Sequence, residues 1–516
     1  MVGLASHGPP TGGPSTPPGI VEQLVAFLSD PKPRLLLIEG PPGSGKSSLL
    51  RELRARLPAP RLEVAYRVGE PGPGSAFSAE RPAPPVSVEL VAADGIPPGE
   101  DSQLLAAIPA TRRGGGAASE TDLAGLPEAI SRALATMARL GSGTLLIDEW
   151  SRARSSSSDR VPPSRPPRSR LAATADEMTE SLAQSPVHTV VVMLSPLSAS
   201  LQSMADGVVR LGFEEWPGPP VRLLTVQKLN APYAPEPRHP FTLDGGRFYA
   251  PKRAPPVAQR PPLPPDDDPA PAEESLWPGS TAFAGAFGRL RFHTLGGLEL
   301  THSLPEIYAE PFWEPVVRHV VRAGGHAVVV PSAARPPSAV VARLAGSVPA
   351  AELGERLRLL APSVEQLGDG LPAGVLLPLP GRPAPAPARD ATAHALAPQL
   401  PDAYRFLAET EPGRPALFLI SLSGLRSLAA VAGLDLDPRT LPLLIQAYAT
   451  LPRFVAFGFG AEDDPLARAF SPLLATKLRL DLLDGRAVLR ATEPPGRAFL
   501  VEWPEDGRGY RLLKAA

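Results

Sequence analysis

Apolar residues along the chain recur with two spacings, and these divide it into segments before any motif is considered. Ile20, Val21, Leu24, Val25, Phe27 and Leu28 follow a helical spacing that stops before Pro31, which predicts a short amphipathic helix. Arg34 to Gly40 (RLLLIEG) is an apolar run of strand length, Pro41 to Gly45 is a turn by its glycine and proline content, and Ser47 to Leu57 reads as a helix. Further buried-type strands are predicted at Glu63 to Val68, Thr144 to Ile147 and His188 to Leu194, with a helix from Pro127 to Leu140 before the second. Strands alternating with helices predict a parallel sheet in an α/β fold. Val208 to Gly212, Val221 to Gln227 and Phe241 to Tyr249 follow with only turns between them, which predicts antiparallel strands at one edge.

From about Leu290 the order of elements repeats. His326 to Val330, Leu357 to Leu360, Ala416 to Leu422 and Phe454 to Phe457 are strand cores separated by helical stretches, followed by the turn-linked strands Lys477 to Leu482, Ala487 to Arg490 and Phe499 to Trp503. The pattern is that of a second copy of one fold. The expected division is therefore a disordered N-terminus over 1–18, a first α/β domain over 19–250, a Pro-rich linker over 251–285 and a second α/β domain over 286–516.

Composition bounds the possible chemistry. A chain of 516 residues exceeds the roughly 250–300 at which single cores stop growing, in keeping with two domains. Lys plus Arg number 51 against 53 Asp plus Glu, so the chain lacks the basic surplus of a nucleic-acid binder. The absence of cysteine excludes disulfides, thiolate metal sites and a cysteine nucleophile. No run of about 18–20 apolar residues is present, and the first eighteen residues lack the charged and apolar regions of a signal peptide, so the expectation is a cytoplasmic protein without a membrane anchor.

The chemistry centres on Gly40-Pro41-Pro42-Gly43-Ser44-Gly45-Lys46-Ser47, which satisfies G-x-x-x-x-G-K-[ST] between a strand and a helix. In such a loop the backbone N–H groups wrap a phosphate, Lys46 adds a cation, and the helix N-terminus adds its positive dipole end. Ser47 is then the candidate magnesium ligand, and Ser48 follows it at the same helix start. Leu145-Leu146-Ile147-Asp148 is an apolar strand ending in an acid, which suits Asp148 to the magnesium side of the same site. Two carboxylates compete to orient or deprotonate the attacking water: Glu149, directly after Asp148, and Glu70, after the strand ending at Val68. Six arginines between Arg152 and Arg170 form a basic run among serines and prolines, without the interleaved aromatic residues that stack on bases, so a solvated insertion is favoured over a nucleic-acid contact. The eight histidines show no metal-ligand spacing.

With these elements stand Ala205-Asp206-Gly207-Val208-Val209-Arg210-Leu211, Arg222 to Lys228 and Pro240 to Asp244, and together they resemble the RecA-like ATPases of the KaiC group. The segment FLSDPKPRLLLIEGPPGSGKSSLL is similar to archaeal relatives of the gas-vesicle regulatory protein GvpD. The resemblance implies a RecA-like P-loop domain that binds ATP with Mg²⁺ and hydrolyses it slowly, commonly in a homo-oligomeric ring, followed by a degenerate RecA-like domain. It also implies that Lys228 reaches a neighbouring subunit's γ-phosphate. Asn230 stands where the family places an arginine, and Gly69-Glu70 where it places paired glutamates. In the second domain, Pro331 to Pro336 after the strand His326 to Val330 lacks the glycines and lysine of a phosphate loop, and Ser421-Leu422-Ser423 offers no acid for magnesium. The expected function is a nucleotide-dependent assembly or conformational switch acting on a protein partner. The alternatives are an AAA+-like or DNA-handling ATPase, and a non-hydrolysing nucleotide-gated scaffold.

Overall fold

The computed structural model describes residues 19–68, 86–94, 130–139 except 132 and 136, 143–148, 180–193 except 183, 199–214, 220–230, 237–253, 275–301, 304–361, 375–378, 399–431, 436, 445–493, 496–503 and 510–515. The chain divides into two compact units. The first runs to Phe213 and includes Arg222–His239 and Gly245–Ala250, and the second comprises Pro251–Ala516 with Glu214–Val221 and Pro240–Asp244. Each is a mixed α/β unit built on a sheet with a parallel centre. No helix among the described residues is long and apolar enough to cross a membrane.

The first unit contains α1 (Ile20–Phe27), β1 (Leu35–Glu39), α2 (Lys46–Arg56), β2 (Arg61–Val68), β3 (Val86–Asp94), β4 (Thr144–Asp148), β5 (His188–Met193), α3 (Ala199–Met204), β6 (Gly207–Glu214), β7 (Val221–Leu229) and β8 (Arg238–Pro240). Its sheet runs β3-β2-β4-β5-β1-β6-β7-β8. β1 lies between β5 and β6 and parallel to both, so Leu35 to Ile38 are buried on both faces and the run is apolar without alternation. Its start is pinned by polar groups: Arg34 pairs with Asp30 at 2.9 Å, and the Leu35 N–H donates to Asp206 at 3.0 Å. α1 buries Ile20, Val21, Leu24 and Phe27, the stripe its spacing predicts. One predicted strand is corrected. Phe241 to Tyr249 is not a strand, because Gly245 and Gly246 take φ of 69° and 75° in the tight turn Asp244–Gly246, and extended backbone needs negative φ. Sequence reading also passed over β3, which pairs antiparallel with β2.

The second unit begins within the segment expected as linker. β9 (Ser275–Leu276) pairs with β10 (Leu290–Arg291), and between them α4 (Thr281–Phe287) is capped by Ser280, whose hydroxyl accepts from the Phe283 N–H. That cap offsets an orphan donor of the first turn. The remaining elements are β11 (Thr294–Leu300), α5 (Glu310–Arg322), β12 (His326–Val330), α6 (Pro337–Ala345), α7 (Ala350–Arg356), β13 (Leu357–Ala361), β14 (Leu376–Pro378), α8 (Gln399–Ala408), β15 (Ala416–Ser421), α9 (Leu422–Val431), β16 (Phe454–Ala461), α10 (Pro465–Phe470), β17 (Leu474–Leu483), β18 (Arg486–Glu493), β19 (Ala498–Glu502) and β20 (Arg511–Lys514). Alternate residues of the central strands feed two cores: Ala327, Val329, Leu417 and Leu419 join one, and Val328, Val330, Phe418 and Ile420 the other.

This sheet runs β14-β13-β12-β15-β16-β11-β17-β18-β19-β20. Counted outward from β11, the neighbours are β16, β15, β12 and β13 on one side and β17, β18 and β19 on the other. Counted outward from β1, they are β5, β4, β2 and β3, then β6, β7 and β8. Over these strands the two successions follow the same sequence order; β2 and β3 are antiparallel while β12 and β13 are parallel, and the second sheet adds β14 and β20 at its edges. β11 therefore holds the place of β1, and β12 the place of β2. This corrects the sequence reading, which set the segment after His326–Val330 against the glycine-rich loop; the true counterpart is the segment from Thr301 to α5.

Candidate functional site

The glycine-rich loop joins the buried end of β1 to the start of α2. Gly43 and Gly45 take φ of 74° and 98°, which side chains rarely adopt, and these two glycines let the chain reverse into the helix. Gly40 is required for a different reason: a Cβ there would run into the Leu211 carbonyl oxygen of β6. The Gly40 N–H donates to the Met193 carbonyl at 3.2 Å, tying the loop to the end of β5. Space beside Gly43 is open to 4 Å, whereas the Ser44 hydroxyl is buried and has no hydrogen-bond partner among the described residues. Pro41, Pro42 and Gly43 are exposed, and Ser48 is half-buried on α2.

Lys46 is the first residue of α2 and is buried. Its ammonium donates to the carbonyls of Gly40 at 2.9 Å and Pro41 at 2.8 Å, so its charge lies folded over the loop. Ser47, next on the helix, is exposed, and its hydroxyl lies 3.5 Å from Asp148 Oδ1 at the end of β4. The fold thus brings together the loop, Lys46, Ser47 and Asp148 from segments about a hundred residues apart. Glu63, one pleat below on β2, pairs with Arg54 of α2 at 3.1 Å. Burial raises its pKa, the arginine opposes that rise, and the Asp148 charge adds to it. Glu70, Glu149 and the arginine run 152–170 lie outside the described residues. Lys228 stands on β7, separated from β4 by the three strands β5, β1 and β6, and donates to the Ser203 carbonyl of α3 at 3.1 Å; it is not in the group around Ser47. The Asn230 N–H donates to the Asp206 carbonyl at 3.0 Å.

Two residues that sequence reading did not single out complete the surroundings. Glu39, the last residue of β1, is 1% exposed and accepts from the Gln202 amide of α3 at 2.9 Å. An acid closing an apolar strand directly before the loop was the available signal; nothing in the sequence marked Gln202 as its partner.

The corresponding place in the second unit is filled differently. Glu306, in the segment after β11, accepts from the hydroxyls of Ser421 and Ser423, each at 2.5 Å, and from the Ser423 N–H at 3.1 Å. Ser421 is the last residue of β15, the counterpart of β4. In the first unit the loop side supplies the hydroxyl and the strand supplies the acid; in the second these are exchanged. Beside this cluster a cavity of about 330 Å³ opens at the carboxyl ends of β12 and β15, walled by Ser332, Pro336, Leu360, Ser427 and Leu428. Arg335 at its rim is held by Glu310 through two hydrogen bonds, at 2.8 and 2.9 Å.

Among the described residues no three His, Cys, Asp or Glu side chains gather as a metal cage. Comparison of the chain with protein-family models and with curated proteins finds no match.

Proposed function

We propose that the first unit is a RecA/KaiC-like ATP-binding domain that hydrolyses ATP slowly, that the second is a degenerate relative of it, and that the chain acts as a nucleotide-dependent assembly or conformational switch. The observation carrying this reading is the loop from Gly40 to Ser47 seated between a central parallel strand and a helix N-terminus, with Ser47 facing Asp148. The shared strand order of the two sheets supports kinship between the units. The strands β6 to β8 beside β1, with Lys228 on β7, favour the RecA-like branch over an AAA+-like one.

The residues present fit a nucleotide phosphate. The N-terminus of an 11-residue helix offers N–H groups and positive dipole, and the unpartnered Ser44 hydroxyl is a buried donor. They also fit Mg²⁺, a hard cation that takes oxygen ligands and completes its shell with phosphate and water: Ser47 and Asp148 would hold it, and it would offset charge on the phosphates. Lys46 exchanges its two carbonyl partners for phosphate oxygens, the open space beside Gly43 allows close approach, and Glu70 or Glu149 orients the water. In the second unit Glu306 places a carboxylate among donors where a phosphate would need none, and no lysine follows; that unit therefore contributes packing, regulation or partner contact.

ATP turnover and light-scattering mass, measured with and without Mg-ATP and with Lys46→Ala as control, test the reading. Turnover with an ATP-dependent assembly, both lost in the control, supports it; a protein that neither binds nor hydrolyses ATP overturns it. Asn230, in the position where the resemblance calls for an arginine, favours a second reading in which the chain is a nucleotide-gated scaffold. Lys46-dependent binding without measurable turnover decides for that reading.

A further inference from the structure

We propose that Gln202 is a positioning residue of the nucleotide site, holding the Glu39 carboxylate away from the loop amides that receive phosphate. The inference rests on the phosphate-site reading of the Gly40–Ser47 loop. Glu39 is the residue immediately before Gly40, and the loop folds back on that point: a Cβ at Gly40 would meet the Ser44 hydroxyl at 2.7 Å, and the Lys46 ammonium donates to the Gly40 carbonyl at 2.9 Å. It is 1% exposed, and at that depth its charge is weakly screened. A buried carboxylate must find donors. It uses the Gln202 amide at 2.9 Å, and the loop that follows it leads into the N–H groups at the start of α2. Any anion suits a helix N-terminus, an internal one included.

In the second unit a carboxylate of the segment that follows the central strand does enter such a donor set. Glu306, following the central strand β11, takes a backbone N–H and two hydroxyls at the end of β15. A Glu39 released from Gln202 would compete in the same manner for donors that ATP requires, and its charge would repel the phosphates. The tether thus separates a site open to an outside anion from one closed by its own.

The experiment uses the full chain and titrates a fluorescent ATP analogue with Mg²⁺, alongside turnover, for the unaltered protein, Lys46→Ala, Gln202→Leu, Glu39→Gln and the Gln202→Leu/Glu39→Gln double variant. Gln202→Leu is expected to raise Kd and KM at least tenfold while kcat at saturating ATP stays within threefold. The double variant is expected to return within threefold of the unaltered affinity, since a neutral residue 39 needs no restraint. A merely structural role for Gln202 would not be rescued by Glu39→Gln. Gln202→Leu binding within twofold of the unaltered protein, or a loss that the double variant leaves in place, overturns the inference while Lys46-dependent binding keeps the site itself. Absence of Lys46-dependent binding in the unaltered protein overturns both. Should Gln202→Leu fail to fold by circular dichroism, Glu39→Gln alone decides: affinity equal to or tighter than the unaltered protein supports the inference, and a loss beyond threefold overturns it.

Discussion

The Ser421 hydroxyl donates to the Glu306 carboxylate at the same place in the second sheet where Ser47 faces Asp148 in the first, with acid and hydroxyl exchanged between loop and strand. The exchange matters because a magnesium–phosphate site needs an acid behind the metal and an open loop before it. Glu306 instead fills the loop side and satisfies its neighbours. Nucleotide binding is therefore expected at one site per chain, by equilibrium dialysis, and to vanish in Lys46→Ala. Glu306→Ala should create no second site. It should lower the stability of the second unit by about 1–3 kcal/mol, the cost of leaving two hydroxyls and an N–H without their shared acceptor, as read by urea unfolding.

Ser47→Ala and Asp148→Asn remove the two oxygens suited to the metal. Each is expected to cut turnover by about 100-fold or more, in line with loss of preorganised charge stabilisation. ATP affinity without Mg²⁺ should change less than threefold. Titrations with and without EDTA give this split, and equal losses in both conditions would show that these residues hold the loop itself rather than a cation.

Acid should weaken both units through two histidines. The Arg34 N–H donates to His188 Nδ1 at 3.2 Å, and the His326 Nδ1 lies 2.8 Å from the Phe406 carbonyl with its ring stacked on Phe406. Burial is the main cause that lowers both pKa values from 6.5. The unfolded chain thus takes up these protons first as pH falls. The stability they contribute is present above about pH 6.5 and is lost as pH falls through the lower folded values. His188→Asn, which keeps an acceptor for Arg34, should flatten the decline in the first unit between neutrality and about pH 5, measured by chemical unfolding at each pH.

Arg490 and Asp481 form an ion pair between adjacent strands β18 and β17, with the two residues 1% and 0% exposed, and Asp481 also accepts from Arg479 at 3.0 Å. Removing the acid alone takes the Asp481 carboxylate away from a buried guanidinium. Asp481→Ala is expected to destabilise the second unit by about 3–5 kcal/mol, and the double change Asp481→Leu with Arg490→Met by much less, because a buried pair repays little more than its desolvation. Calorimetry of the full chain checks the ordering.

The legible parts of the fold were those where local pattern and tertiary role agree. RLLLIEG is continuous because β1 is covered on both faces, and the loop after it is spelled by its own glycines. β11 was missed for a physical reason. Its sequence TLGGLEL carries Gly296 and Gly297, and glycine weakens a strand pattern, yet a Cβ at Gly296 would meet the Phe457 ring at 2.8 Å and one at Gly297 would run into Leu474. The glycines are there to admit side chains from the neighbouring strands, a requirement invisible along one strand. With the central strand unseen, the second copy was aligned one strand late. Glu39 and Gln202 were separated by more than 160 positions, and no local signal joins an acid to an amide across that span.

The folded-over position of Lys46 has a consequence in time. An ammonium already held by two carbonyls must leave them before it can meet a phosphate, so capture of nucleotide proceeds as an encounter followed by a rearrangement within the loop. The observed association rate should then level off as nucleotide concentration rises, at a ceiling set by how often the lysine lets go, and the chain would report sustained nucleotide levels while passing over brief ones.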